Sequence, residues 1–140
     1  MRHVLAGHLT APRAIVAAHA AAGGLIALAG APAVGLAHAV CAAIAIYLGW
    51  QATRRLKQHV DGIEVRSFDR RMALIVLAQS LPLQGLPLAA LVVSPTPAMA
   101  VLTILIGICV AATALQQSSA RQIVLGAQSA PVLAQIAAAI

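Results

Sequence analysis

The sequence predicts an all-α fold of polytopic transmembrane helical hairpins, with four to five membrane helices. Three observations predict it. Of 140 residues, 61% are hydrophobic and only 9% charged, with a mean hydropathy of +0.94. A soluble domain is about half apolar and about a quarter charged, and a chain this short needs polar side chains to cover its large relative surface in water. The apolar residues fall into runs of near membrane-crossing length, separated by short turns. The charges gather in alternate gaps between those runs.

Residues 1–12 are mixed, with Arg2, His3 and His8, and read as a cytoplasmic or interfacial segment. The first hairpin is expected over 13–50. Its first run, 14–30, has His19 as its one strongly polar residue. Gly30-Ala31-Pro32 is a turn signal, and the second run, 34–50, is interrupted only by His38. At ~1.5 Å per helical residue each run spans about 25 Å, just short of the ~30 Å hydrocarbon core. The 51–71 segment is expected to be a basic cytoplasmic loop, because it holds Arg54, Arg55, Lys57, Arg66, Arg70 and Arg71 and every acid: Asp61, Glu64 and Asp69. The second hairpin, 72–116, turns at Ser94-Pro95-Thr96-Pro97. A short loop, 117–122, leads into a fifth helix over 123–140 that ends inside an apolar run with no flanking charge. That ending suggests a fragment of a longer reading frame.

If each run crosses once, all nine basic residues fall on one side, which the positive-inside rule makes cytoplasmic. The expected location is the bacterial inner membrane, multi-pass, with the N-terminus in the cytoplasm. A signal-peptide reading of 14–30, with Ala29-Gly30-Ala31 as cleavage site, is the alternative for the first run. The net charge of +6 does not imply nucleic acid: the basic residues sit at the ends of apolar runs, and Tyr47, Trp50 and Phe68 are too few to form a stacking platform. The expected partner is the lipid bilayer. A homodimer through small-residue helix faces is a second expectation: Ala20 with Gly24, the row Gly35, Ala39 and Ala43, and Gly107 with Ala111 permit close backbone approach. Packing within each hairpin explains the same spacings.

Candidate functional residues are few. Ionisable side chains inside membrane helices are functional candidates by default, which singles out His19 and His38. Counted from the run ends, they lie roughly 10 Å apart along the membrane normal, too far to share one iron or zinc. Neutral histidine bonded to a neighbouring helix is the plainer reading. Gln79, Ser80 and Gln84, beside Pro82, Gly85 and Pro87, form the most polar stretch of any run. With His19 or His38 they could line a polar pocket; a helix whose glutamines bridge to neighbours is the structural alternative. Trp50, Arg54, Arg55 and Lys57 read as an interfacial anchor. Cys41 and Cys109 read as small apolar packing residues. No nucleophile elbow, zinc-protease motif, P-loop or carboxylate cluster is present, so no catalytic residue, metal site or cofactor is expected in this segment.

The Ala-rich hairpins, the basic segment ending in Phe68-Asp69-Arg70-Arg71 and the last helix with Arg121 and Ala130-Pro131 resemble the N-terminal membrane modules of bacterial sensor histidine kinases and diguanylate cyclases. The resemblance implies a sensory or anchoring role in signal transduction, with any kinase or cyclase domain beyond Ile140. Two other readings stay open: a fragment of a small-solute transporter, favoured by the repeated hairpins and by a third run that Pro82 and Pro87 are expected to kink, and a small structural subunit of a membrane complex.

Overall fold

The computed structural model describes residues 12–58, 64–118 and 120–139, apart from the side chains of Pro12 and Lys57. The N-terminal segment expected over 1–12 therefore lies outside the described residues, except for Pro12. Five helices follow one another: α1 (Pro12–Leu28), α2 (Pro32–Gln58), α3 (Val65–Val93), α4 (Pro97–Gln117) and α5 (Arg121–Ala139). Four are long and apolar enough to cross a membrane, and α1 is a shorter apolar helix. The architecture is the all-α bundle that the composition predicts.

The prolines of the turns are the first residues of α2 and α4. There the missing N–H costs nothing and the fixed φ suits a helix. The end of α1 is closed by Gly30 in the left-handed region, φ 107°. Gly30 N–H donates to Ala27 O and Ala31 N–H to Ile26 O, both at 3.2 Å, a Schellman motif. Ile26 and Ala31 are both buried in the main apolar cluster, which adds the apolar contact that accompanies this cap. The Thr96 side chain caps α4 by accepting from Met99 N–H at 3.2 Å. Ser94 Oγ donates to Ala29 O at 3.2 Å, so the two hairpin turns meet at the end of the bundle away from the basic residues.

Each helix packs on its neighbour in sequence as far as α4, α3 also touches α5, and α4 lies against both α5 and, lightly, α1. Thus α1 to α4 close a four-helix ring, and α5 sits outside it in the α3–α4 groove. Polarity is inverted relative to a soluble protein. Leu28, Val92 and Leu74 are 86%, 77% and 66% exposed, whereas His38, Thr53, Gln84, Thr103, Gln128 and Gln135 are buried. In lipid the apolar surface needs no cover and polar groups must find partners inside.

The 51–71 segment differs from the loop expected there. α2 continues to Gln58 and α3 begins at Val65. Hydropathy marks where lipid ends, but a helix ends only where something breaks it. Gln51 to Gln58 contains no Gly or Pro and is rich in good helix formers. The charged extensions pack on each other through Leu56, Phe68 and Met72, with Ile75 beside them. α5 likewise starts at Arg121 rather than at 123.

Candidate functional site

α1 and α2 approach closely because each carries a glycine at the crossing. A Cβ on Gly35 would lie 2.3 Å from Gly23 O and 2.9 Å from Ala27 N, and one on Gly23 would lie 2.5 Å from Gly35 O. This contact sets the register of the hairpin and corrects the depth expected for the histidines. His19 lies four residues, ~6 Å, below Gly23, and His38 three residues, ~4.5 Å, below Gly35. The two rings therefore sit at one level, with His19 Nδ1 and His38 Nε2 3.2 Å apart and ring centroids 5.3 Å apart. Depth counted from run ends ignores this stagger, so the ~10 Å separation expected along the normal is not what the fold produces. Among the described residues no third histidine, cysteine or carboxylate joins the pair.

Each of these rings is neutral: an isolated ion inside an apolar bundle is far costlier than a neutral imidazole. One nitrogen of the facing pair must then donate and the other accept. His38 is fully buried and its Nδ1 has no partner. If His19 donated, His38 would carry its own proton on Nδ1, an orphaned buried N–H. If His38 Nε2–H donates, Nδ1 is only an unused lone pair, and buried N–H orphans are the rarer of the two. We therefore assign the donor to His38. His19 then holds its proton on Nε2, on the side of the ring away from His38.

His19 lines a cavity of about 50 Å³ at the centre of the four-helix ring. Its polar wall is His19, Gln79, Ser80, Thr113 and Gln117, with Trp50 beside them; Ile15, Ile46, Leu83 and Val110 supply apolar wall. On α1, α2 and α4 these positions lie in the half nearer the basic end; on α3 they flank its middle, from Val76 to Leu83. Of the residues expected to form a polar pocket, the structure thus gathers His19, Gln79 and Ser80. His38 and Gln84 do not line this cavity.

Gln79 reaches α2, where its Nε2 donates to Ala45 O at 3.1 Å. Gly49 makes the room: a Cβ there would lie 1.7 Å from Gln79 Nε2. Ser80 and Gln84 turn to the other side of α3 and enter a buried network with α4 and α5. Gln84 Nε2 donates to Gln128 Oε1 and to Gly107 O at 3.4 Å. Gln128 Nε2 donates to Ser80 Oγ at 2.6 Å, and Ser80 Oγ donates to Val76 O at 2.8 Å. Gln135 Nε2 donates to Gln84 O at 2.8 Å, its side chain lying where a Cβ on Gly107 would be. Thr103 Oγ1 donates to Pro87 O at 3.0 Å. Ser80, with Val76 whose carbonyl accepts from it, belongs to both the network and the cavity wall.

Sequence reasoning left Gln128 and Gln135 out of the candidate residues. The signal was present: they stand seven residues apart, hence on one face of α5, and polar groups on an apolar helix point to the bundle interior. The stretch with Pro82 and Pro87 forms no break, because α3 is continuous through both. At the basic end, Arg54 lies over the Trp50 ring at 5.5 Å, and Tyr47 stacks on Trp50 with centroids 6.3 Å apart. Arg55 borders the same surface hollow; the Lys57 side chain lies outside the described residues. No protein-family model, curated protein or solved structure matches this chain.

Proposed function

We propose that this chain is a non-catalytic sensory and anchoring module of a bacterial signal-transduction protein, set in the inner membrane with its N-terminus and basic face in the cytoplasm. One observation carries the reading. The helices α2 and α3, which wall the central cavity, have 27 and 29 residues. These are about 40 and 44 Å long, against ~30 Å of hydrocarbon. Both run on beyond that thickness towards the basic end, so a change in the cavity is transmitted along rigid rods to the cytoplasmic face. Ser80 extends the same connection to α5. The unbroken course of α3 favours this reading over a transporter, whose substrate sites use interrupted helices.

Self-association of the module would use Ala20 and Gly24. Both are exposed on α1, and a Cβ on Gly24 meets nothing within 4 Å.

The test is to fill the cavity and watch the helix ends. Thr113→Phe, with spin labels at Gln58 and Arg66 in nanodiscs, should change the label spacing by about 1–2 Å, the scale of helix shifts in switching bundles. Unchanged spacing in a variant of normal helicity and stability would remove the sensory role and leave a structural subunit.

A further inference from the structure

We propose that the outer face of the α1–α2 hairpin, at its basic end, binds one anionic phospholipid of the adjoining leaflet, with the phosphate held between Arg13 and Arg54 and an acyl chain seated in the hollow beside Tyr47 and Trp50. The site does not depend on the sensory reading and stands without it.

Two hollows on this face share Tyr47 and Trp50. One, of about 440 Å³, lies between α1 and α2. Val16, Ala17, Ala43 and Ile46 give it an apolar wall, and among the described residues Arg13 is the one charge that lines it. The other, of about 330 Å³, is bordered along α2 by Gln51, Arg54, Arg55 and Gln58. Polarity changes in one direction along α2. Arginine and glutamine come first, from Gln58 to Gln51, then the rings of Trp50 and Tyr47, then Ile46 and Ala43. A phospholipid has the same order of head, ester region and chain, and Trp and Tyr rings are enriched at the level of the head groups. The hollow also belongs to one leaflet. Val40 is eight residues from Pro32 and ten from Trp50, so it marks the middle of the apolar part of α2. From Trp50 to Val40 is ~15 Å, half of the ~30 Å hydrocarbon core. Val40 is exposed and continues the track of Tyr47 and Ala43 towards that middle. On α1 the hollow takes only Arg13, Val16 and Ala17, from the first turns of the helix.

Antiparallel pairing brings the two arginines to one level. Side chains lean towards the N-terminus of their own helix, which is the basic end for α1 and the far end for α2. Arg13 thus leans towards the interface, while Arg54 leans back over the Trp50 ring, at 5.5 Å. Stacking holds a guanidinium by its face and leaves the N–H groups of its edge for an oxyanion, and arginine–phosphate pairs are frequently bidentate. Charge selects the head. Among the described residues no Asp or Glu lines either hollow. The ammonium of a zwitterionic head would meet guanidinium groups and no counter-charge; an anionic head brings no such group.

The chain's single tryptophan reads the site. In phosphatidylcholine liposomes, phosphatidylglycerol with brominated chains should quench Trp50 at a fraction about tenfold lower than brominated phosphatidylcholine needs. Arg13→Gln and Arg54→Gln should each lower that preference about fivefold, the factor that one arginine near an anionic surface supplies, with helicity unchanged. Ala17→Phe, which fills the hollow from an exposed position, should lower it with both arginines in place. Arg66→Gln, at an exposed position of α3 outside both hollows, should leave it unchanged. Equal quenching by the two lipids overturns the proposal, and so does an unchanged preference in Ala17→Phe. A loss in Arg66→Gln as large as in Arg13→Gln would reduce the site to the diffuse charge of the basic face and overturn it as well. Relief of quenching by soluble glycerol phosphate would make it a site for a free phosphate ester instead of a lipid.

Discussion

Gln84 sits where three helices meet, and its two ends do different work. Its amide N–H groups tie α4 and α5 to α3, through Gly107 O and Gln128 Oε1, while its backbone carbonyl receives Gln135. Interhelical hydrogen bonds in membrane proteins average only about 0.6 kcal/mol and reach about 1.7, because the unfolded chain in lipid also finds partners. Gln84→Leu should therefore lower stability by about 1–2 kcal/mol, in detergent or bicelle unfolding, since it also strands Gln128 Oε1. Gln128→Leu should cost about the same, and the double variant less than the sum by about 1 kcal/mol. Strictly additive losses would show that the two amides do not share a bond. The network was half legible beforehand: Ser80 and Gln84 stood out as polar residues one turn apart, but nothing in α3 alone says which neighbour they face.

At the scale of the helices, glycine spacing has opposite meanings at adjacent positions. Gly23 and Gly35 let backbones touch, and what an added Cβ would strike is main chain, which cannot swing aside. Gly35→Ala should thus separate α1 from α2 and cost about 1–3 kcal/mol, as overpacking does. Gly24 faces open space. Gly24→Ala should raise stability by up to about 1 kcal/mol through helix propensity. Thermal unfolding of the two variants side by side checks both. Equal effects would mean that the hairpin crosses elsewhere. The same crossing brings His19 to His38, so Gly35→Ala should also weaken the histidine contact, visible as altered imidazole resonances. Glycine pairs were visible as small residues at helical spacing, yet the row through Ala20 and Gly24 and the contact through Gly23 are indistinguishable by spacing in so Ala-rich a chain.

For the molecule as a whole, the basic ends of all the helices and the two uncharged turns lie at opposite ends of the bundle. Phosphatase or fluorescent reporters fused after Ser94 and after Ser118 should report opposite sides of the membrane, with Ser118 in the cytoplasm. Reporters on the same side would mean that α4 does not cross. The anchor at the basic end is a packed unit: Tyr47 stacks on Trp50 and Arg54 covers that ring. Trp50 also walls the central cavity, and it is the chain's single tryptophan. Its emission therefore reports on the cavity without a label, and Thr113→Phe should shift it while Leu133→Ala, on the outer face of α5, should not.

The sequence by itself determined that the chain is helical and membrane-borne, where its turns lie, and that its charge is segregated to one end. Those properties depend on the transfer of side chains and backbone between water and lipid, which each run decides for itself. Tertiary structure alone decided that the histidines meet, that Gln79 faces α2 while Ser80 and Gln84 face α5, and that α1 and α4 leave an opening between them. Those outcomes depend on the rotation and stagger of one helix against another. In lipid no hydrophobic drive selects a helix face, so rotation and stagger follow from the close backbone contact of Gly23 with Gly35, from glutamine side chains seated on Gly49 and Gly107 and from amide bonds between distant residues, which no single run contains.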